Sequence, residues 1–159
     1  MDESYGQLVI DRTEGDEWGF LNVDDRIRLN CFDLLCLDDV GYSLPDYEAH
    51  ISAFDENEVR HLPNPIKEEG QWCSYVPSHF KVVNPEHWEE MKSCLILCVK
   101  CEPLEHLRVK YGFTPLMYDS HEFHITIGVS PNETSEDVES VVRLFNEHLT
   151  TAFSSIFSL

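Results

Sequence analysis

The sequence has few basic side chains and no long apolar run. Lys and Arg number 11 against 30 Asp and Glu, which gives a formal net charge of −19. A surface of this sign repels long nucleic acids, because contacts to phosphates supply most of their affinity for proteins. No stretch reaches the roughly 18 apolar residues of a membrane-spanning helix, so we expect no membrane span. These deficits favour a small ligand, or a protein partner with a basic face.

The sequence also lacks the signatures of secretion and of metal binding. Residues 1–4 are acidic, whereas a secretory signal begins with basic residues followed by an apolar segment. This difference predicts a cytoplasmic protein. Six cysteines are scattered along the chain, several of them in apolar runs such as residues 94–99, which predicts reduced, buried thiols. The CxxC spacing from Cys98 to Cys101 has no second pair to complete a zinc site. We therefore predict no metal and no cofactor.

Two short segments share the order histidine, apolar residue, hydroxyl residue, apolar residue. One runs from His50 to Ser52 and beyond, and the other from His124 to Thr126 and beyond. Strict alternation followed by turn-forming residues is typical of a β-strand. On a strand, residues i and i+2 project from the same face about 7 Å apart. Each segment is therefore predicted to place an imidazole beside a hydroxyl.

A histidine followed two residues later by a hydroxyl also occurs by chance. The segment from His148 to Thr150 is such a case. Its context is helical, where residues i and i+2 lie about 200° apart and cannot share a face. The first two segments both precede turns and follow similar elements, which favours a functional interpretation of that pair.

The two motifs can perform acid–base chemistry at phosphorus. Imidazole has an ordinary pKa of about 6.5, so one member of a pair can be neutral while the other is protonated. One histidine would accept a proton from an attacking water or ribose 2′-hydroxyl, and the other would protonate the leaving oxygen. Ser52 and Thr126 would donate hydrogen bonds to the non-bridging oxygens. The predicted catalytic residues are His50, Ser52, His124 and Thr126, with the roles of the two histidines left open.

The order of elements predicts a single α+β domain over residues 1–159, in which a strand–helix–strand pattern occurs twice. We expect two lobes related by a rough two-fold axis, with the histidine strands side by side. Strands are predicted over residues 7–10, 17–21, 49–54, 72–76, 79–83, 94–100 and 123–128. Helices are predicted over residues 23–37 with Asn22 as cap, 56–62, 102–111, and 136–149 with Thr134 and Ser135 as cap.

The paired motifs resemble the H-apolar-[S/T] signatures of the 2H phosphoesterases, a family that includes ligase-like RNA phosphodiesterases and 2′,3′-cyclic phosphodiesterases. The resemblance implies a bilobal α+β fold with a central groove and metal-independent hydrolysis of a phosphodiester. Residues 44–59 and 104–128 further resemble the anti-CBASS phosphodiesterases of tailed phages. Those enzymes destroy cyclic di- and trinucleotide immune messengers such as 3′,3′-cyclic GMP–AMP, which would place this protein in the cytoplasm of an infected bacterium.

Aromatic and charged residues are candidates for holding the bases and phosphates of such a substrate. Aromatic side chains can stack on purines at about 1–3 kcal/mol per base. Trp72, Phe80 and Trp18 are the candidate platforms, with a core role as the alternative for each. Glu147 could accept hydrogen bonds from a guanine edge, or be an ordinary solvated helix residue. Lys81 is the nearest basic candidate for a phosphate.

Two other functions fit parts of the sequence. A 2H esterase acting on linear RNA ends or 2′,3′-cyclic phosphates would use the same motifs. An acidic decoy that mimics nucleic acid and binds a host protein would explain the charge but not the motifs. The oligomeric state is left open, although the apolar residues 153–159 suit packing on a neighbouring chain.

Overall fold

The computed structural model describes residues 3–86 and 88–158, and these form an α+β fold. Its strands are β1 (Ser4–Asp11), β2 (Trp18–Asn22), β3 (His50–Phe54), β4 (Trp72–Val83), β5 (Ser93–Lys100) and β6 (His124–Ser130). Its helices are α1 (Arg26–Leu34), α2 (Glu56–His61), α3 (Glu102–Lys110), α4 (Glu136–Glu147) and α5 (Leu149–Ile156), with a 3₁₀ turn at Leu37–Val40. The predicted α+β class is confirmed, while the central groove between two lobes stays a prediction.

The six strands form one sheet in the order β3-β2-β1-β4-β5-β6. The β2–β3, β1–β2 and β1–β4 ladders are antiparallel. The histidine strands β3 and β6 stand at the two ends of this order. The expectation that they are neighbouring strands is therefore wrong, because each pairs with a strand that precedes it along the chain. The two-fold relation between lobes stays a prediction.

The chain divides into two compact units, each made of three separate segments. Unit 1 comprises Met1–Val23, His50–Val76 and Val99–His124, and unit 2 comprises Asp24–Ala49, Pro77–Cys98 and Ile125–Leu159. We expected each lobe to contain one histidine motif in one half of the chain. The units instead interleave distant segments, and both motif histidines belong to unit 1. The single domain over residues 1–159 stays a prediction.

The core of unit 1 forms where β1, β2 and β3 pair. Leu8 lies opposite Leu21, and Leu21 lies opposite Ile51. All three side chains are buried, so this face of the ladder is removed from water and contributes about 1.5–3 kcal/mol per side chain. After β3, the predicted helix begins with a capping box, in which Asp55 and Glu58 each bond the other's backbone amide.

A buried arginine joins three segments of unit 1. Arg108 on α3 has no exposed surface, and its guanidinium donates to both carboxylate oxygens of Glu58 at 2.8 and 2.7 Å. It also donates to the carbonyl oxygens of Ala53 at 2.6 Å and Thr114 at 2.7 Å. Because Ala53 lies on β3, this arginine anchors the first histidine strand to α3.

Aromatic rings complete the environment of Arg108. Its guanidinium carbon lies 5.6 Å from the ring centres of both Phe54 and Phe113. A guanidinium is weakly hydrated and can stack on rings, so it tolerates burial when its donors are occupied. Sequence reasoning missed this residue. The available signal was its spacing of four residues after the buried Leu104, on the inward side of α3.

The first long helix starts later than the sequence predicts. Asn22 does not cap it, because Asn22 is extended in β2 opposite His50. The helix α1 begins at Arg26 with Asp25 as the preceding residue. The Asp25 carboxylate accepts from the backbone amide of Ala49 at 2.7 Å and bonds Arg28, rather than capping the helix. Ladder pairing therefore overrides the capping preference of Asn22.

The two strands predicted around Pro77 are one continuous strand, β4. The ladder with β1 covers only residues 72–75 of β4, so Pro77 lies outside it. Proline lacks an amide proton, but it breaks no hydrogen bond to β1 at this position. The interruption that we predicted between these two strands at Pro77 is therefore absent.

The C-terminal segment packs on its own chain. The predicted cap of α4 is confirmed at Ser135, but the helix ends at Glu147 and a further helix, α5, follows. Ala152, Phe153 and Ile156 of α5 are buried. Their spacing of one, three and four residues is a helical signal that we missed. These three residues therefore pack within their own chain. Leu159 lies outside the described residues, and packing on a neighbouring chain stays a prediction.

The cysteines are reduced thiols, as predicted, and four of them (Cys31, Cys94, Cys98 and Cys101) are buried. Burial raises the pKa of Cys94 to about 11 and that of Cys101 to about 12, so both stay protonated at neutral pH. Within residues 3–86 and 88–158, no helix combines the length and the apolar character needed to cross a membrane.

Candidate active site

The first motif occupies β3 as the alternating pattern predicts. Ile51 and Ala53 are fully buried, whereas His50 and Ser52 between them are partly exposed. Residues i and i+2 of a strand share a face. The imidazole of His50 and the hydroxyl of Ser52 therefore lie on one face of β3, while the apolar residues fill the core of unit 1.

Strand β2 supports both polar side chains of this motif. Phe20 lies opposite Ser52, and its ring meets the His50 ring edge-on with the ring centres 5.7 Å apart. Trp18 donates a hydrogen bond from its indole Nε1 to the Ser52 Oγ at 2.8 Å. The indole group is a donor only, so the direction of this bond is unambiguous.

A register shift lets β2 approach β3 at this point. Gly19 pairs with Phe54 while the adjacent Phe20 pairs with Ser52, so one extra residue of β3 is accommodated. A Cβ added at Gly19 would lie 2.8 Å from Phe54 Cδ2 and 3.0 Å from Ile10 Cδ1. Only glycine fits here without a shift of the neighbouring side chains. A bulge of this kind bends a strand locally and re-aims its side chains.

The second motif begins at the first residue of β6. His124 is partly exposed, and its Nδ1 lies 3.0 Å from the carbonyl oxygen of Glu122. A carbonyl can only accept, so Nδ1 carries the proton and Nε2 of the neutral ring has the lone pair. Thr126 is two residues further along the same strand and is partly exposed, whereas Ile125 and Ile127 are buried.

The environment of His124 keeps its imidazole neutral. Burial lowers the pKa of His124 from its ordinary value of 6.5, the Glu122 carbonyl opposes this, and the charges of His50 and His121 lower it further. Charge effects of this kind require neighbouring groups. The imidazoles of His50 and His124 are therefore near enough in unit 1 for their charges to interact, although their strands stand at opposite ends of the sheet order. Their catalytic roles stay a prediction.

Residues outside the predicted set accompany both motifs. In unit 2, the side chain of Tyr47 forms a hydrogen bond with Thr126, and burial raises the pKa of Tyr47. In unit 1, His121 follows a tight turn in which Tyr118 and Asp119 have φ angles of 51° and 68°. The rings of Tyr118 and His121 meet edge-on at 5.1 Å, and Tyr118 is 58% exposed. No sequence period marks any of these residues.

The candidate base-binding aromatics have three different environments. Trp72, on β4, is 66% exposed and offers a free surface for stacking. Trp18 is partly exposed, and its indole nitrogen is used by Ser52. Phe80 is 1% exposed, and its ring lies 5.9 Å from that of Phe153. The placement of Phe80 favours the alternative core role, because a ring with 1% of its surface exposed offers no face on which a base could stack.

The two charged candidates lie on the surface of unit 2. Lys81 is exposed on β4, and Glu147 is exposed at the last residue of α4. Neither environment separates a ligand contact from the ordinary solvated alternative, so both roles stay predictions.

A comparison with protein families gives one match. Residues 39–135, which are more than half of the chain and contain both motifs, match the family described as Swiss Army Knife, 2H phosphoesterase domain. Searches of curated proteins and of solved structures returned no match. The family match confirms the resemblance carried by the two histidine motifs. The chain therefore belongs to the 2H phosphoesterase family.

Proposed function

We propose that this protein is a phosphodiesterase that hydrolyses the 3′–5′ linkages of cyclic di- and trinucleotide immune messengers, in the manner of the phage anti-CBASS enzymes. Family membership supports phosphoester hydrolysis. The resemblance of residues 44–59 and 104–128 supports the narrower assignment, and it implies action in the cytoplasm of an infected bacterium. A cyclic dinucleotide carries only two phosphates, so a protein with a net charge of −19 repels it less than a long nucleic acid.

The main support for the mechanism is the neutral imidazole of His124, whose charged form would interact with that of His50. The Nδ1–H of His124 donates to the Glu122 carbonyl oxygen, and the pKa of the ring is lowered, so its Nε2 can accept a proton at neutral pH. We assign His124 as the general base that deprotonates the attacking water or ribose 2′-hydroxyl. His50 is then the general acid that protonates the leaving oxygen as its bond to phosphorus breaks.

The two hydroxyl residues complete the proposed chemistry. Negative charge builds on the non-bridging oxygens of the phosphate as the nucleophile attacks. Ser52 and Thr126 would donate hydrogen bonds to these oxygens and stabilise that charge. Proton transfer and charge stabilisation are thus both supplied by side chains, so we propose that hydrolysis proceeds without a metal ion.

The pH profile tests the assignment of the base. Because His124 must be neutral and the general acid His50 must be protonated, kcat/KM should rise as the pH increases through the pKa of His124 and fall again at higher pH, where the acid has lost its proton. Burial holds this pKa below 6.5, so we expect the midpoint of the acid limb below pH 6.5. An NMR titration of the His124 ring should give a matching midpoint. A midpoint above pH 6.5 by both methods would contradict the assignment.

A substrate panel tests the activity itself. Purified protein would be incubated with cyclic di- and trinucleotides, linear oligonucleotides and 2′,3′-cyclic nucleotides, and the products identified by mass spectrometry. We expect linearised products from the cyclic oligonucleotides, with equal rates in the presence and absence of EDTA.

Other outcomes of the panel would replace the proposal. Cleavage of linear RNA or of 2′,3′-cyclic phosphates alone would favour the second esterase function. No turnover, together with tight binding of a basic host protein, would favour the acidic decoy. Loss of turnover in EDTA would contradict the metal-independent mechanism.

A further inference from the structure

We propose that Trp18 is a positioning residue that directs the hydroxyl proton of Ser52 toward the scissile phosphate. This inference depends on the proposed role of Ser52 in phosphodiester hydrolysis. The inference is based on the 2.8 Å hydrogen bond from Trp18 Nε1 to Ser52 Oγ. It gives Trp18 a function other than the base stacking that its sequence position suggests.

The direction of this hydrogen bond determines what Ser52 can do. A serine hydroxyl has one proton to donate and can accept two hydrogen bonds. An indole N–H only donates, so Ser52 Oγ accepts from Trp18, and its own proton must point elsewhere. Ser52 shares the outward face of β3 with His50, which is where the proposed reaction takes place. Trp18 thereby prepares Ser52 as a donor and prevents it from donating back toward β2.

The backbone explains how Trp18 reaches Ser52. The residue opposite Ser52 is Phe20, and Trp18 precedes Phe20 by two positions on the same face of β2. The register shift at Gly19 lies between them, and the missing side chain of Gly19 leaves room for the Phe54 ring. The indole therefore crosses diagonally to Ser52, a distance within the reach of a long aromatic side chain.

The hydroxyl of the second motif has a different kind of partner. Thr126 is bonded to the Tyr47 hydroxyl, which can donate or accept. Tyr47 therefore leaves the direction of the Thr126 proton open, whereas Trp18 excludes one direction for the Ser52 proton. A donor that is already oriented toward the phosphate stabilises the transition state more, because it does not have to reorient as negative charge develops on the oxygens.

A double-mutant cycle tests the inference. The variants are Trp18→Phe, which keeps an aromatic ring but removes the donor, Ser52→Ala, and the combination, with 3′,3′-cyclic GMP–AMP as substrate. Ser52→Ala should lower kcat by about 10²–10³-fold, the usual cost of one lost donor to the developing charge. Trp18→Phe should lower kcat by about 10-fold with little change in KM. In the Ser52→Ala background it should have almost no further effect, because the hydroxyl that it orients is gone.

Tyr5→Phe is the matched control. Tyr5 lies on β1 in unit 1, is exposed, and donates to Glu3, so its hydroxyl has no role at Ser52. This variant should retain wild-type kcat. Hydrogen exchange at the Trp18 indole provides a second measurement that does not use a Trp18 variant. Exchange should be faster in Ser52→Ala and unchanged in Tyr5→Phe.

The outcomes separate this inference from the proposed function. Wild-type protein inactive on every phosphodiester would overturn the proposed function and the inference with it. The wild type could be active while the double variant loses kcat by the product of the two single-variant factors. That result would overturn the inference alone, because a purely structural role of Trp18 is independent of the Ser52 hydroxyl. Unchanged indole exchange in Ser52→Ala would likewise overturn it.

Discussion

Replacing either motif histidine is expected to lower the rate of phosphodiester hydrolysis by about 10²–10⁴-fold, the usual contribution of one positioned acid or base. In the proposed mechanism, His124→Ala removes the neutral Nε2 that would accept the proton, and His50→Ala removes the group that would protonate the leaving oxygen. Both side chains are partly exposed, so alanine leaves no large cavity in the core of unit 1. Turnover of 3′,3′-cyclic GMP–AMP and a thermal melt of each variant would measure activity and folding together.

The chain supplies its own control for this experiment. His148 is followed two residues later by Thr150, as in the motifs, but it lies at the junction of α4 and α5 and Thr150 is helical. His148→Ala should keep wild-type activity. Full activity in either His50→Ala or His124→Ala would contradict the two-histidine mechanism, whatever the family match implies.

Replacing the buried arginine, Arg108→Met, should lower the free energy of unfolding by about 3–5 kcal/mol, the range for removing one partner of a buried ion pair. Glu58 would keep its charge in a largely buried position, with 16% of its side chain exposed. The carbonyl oxygens of Ala53 and Thr114 would each lose a donor at 2.6–2.7 Å. The midpoint of urea unfolding would measure the change.

Two further variants identify the cause of that loss. Lys110→Met on the same helix breaks an ion pair with Glu68 in which the lysine is 44% exposed. The change should move the midpoint little, because solvent screens a pair with an exposed member and Tyr111 still donates to Glu68. Adding Glu58→Gln to Arg108→Met removes the stranded charge while an amide can still complete the capping box. Part of the lost stability should return. If Arg108→Met and Lys110→Met are equally mild, the buried network is not a major source of stability.

Local patterns in the sequence determined much of the fold and the central part of the site. Alternation of apolar and polar residues placed the two motifs on strands, and the near-continuous apolar run of residues 94–100 indicated the buried strand β5. The serine before α4 marked where that helix starts. These features could be predicted because each depends on residues that lie within a few positions of each other along the chain.

The failures have a common physical origin. Asn22 has the preferences of a helix cap, but its backbone pairs with His50, which is 28 residues away in the chain. Pro77 has the preferences of a turn, but it is tolerated because the β1 ladder ends before it. At Asn22 the backbone has a pairing partner in a distant strand, and at Pro77 the β1 ladder offers none. The pairing with distant segments therefore decided the structure at both positions. No local propensity contains that information.

The sequence by itself determined the chemistry that this protein can perform, because it contains two histidine–hydroxyl strands within a 2H phosphoesterase domain. Only the tertiary structure decided which neighbours act on those groups. In the folded chain, Trp18 donates a hydrogen bond to the Ser52 hydroxyl, and His124 donates one to the Glu122 carbonyl oxygen. Arg108 donates to the carbonyl oxygen of Ala53 near the end of β3. The reason is that hydrogen-bond direction and burial depend on atoms brought together by folding, whereas residue type and spacing are properties of the chain before it folds.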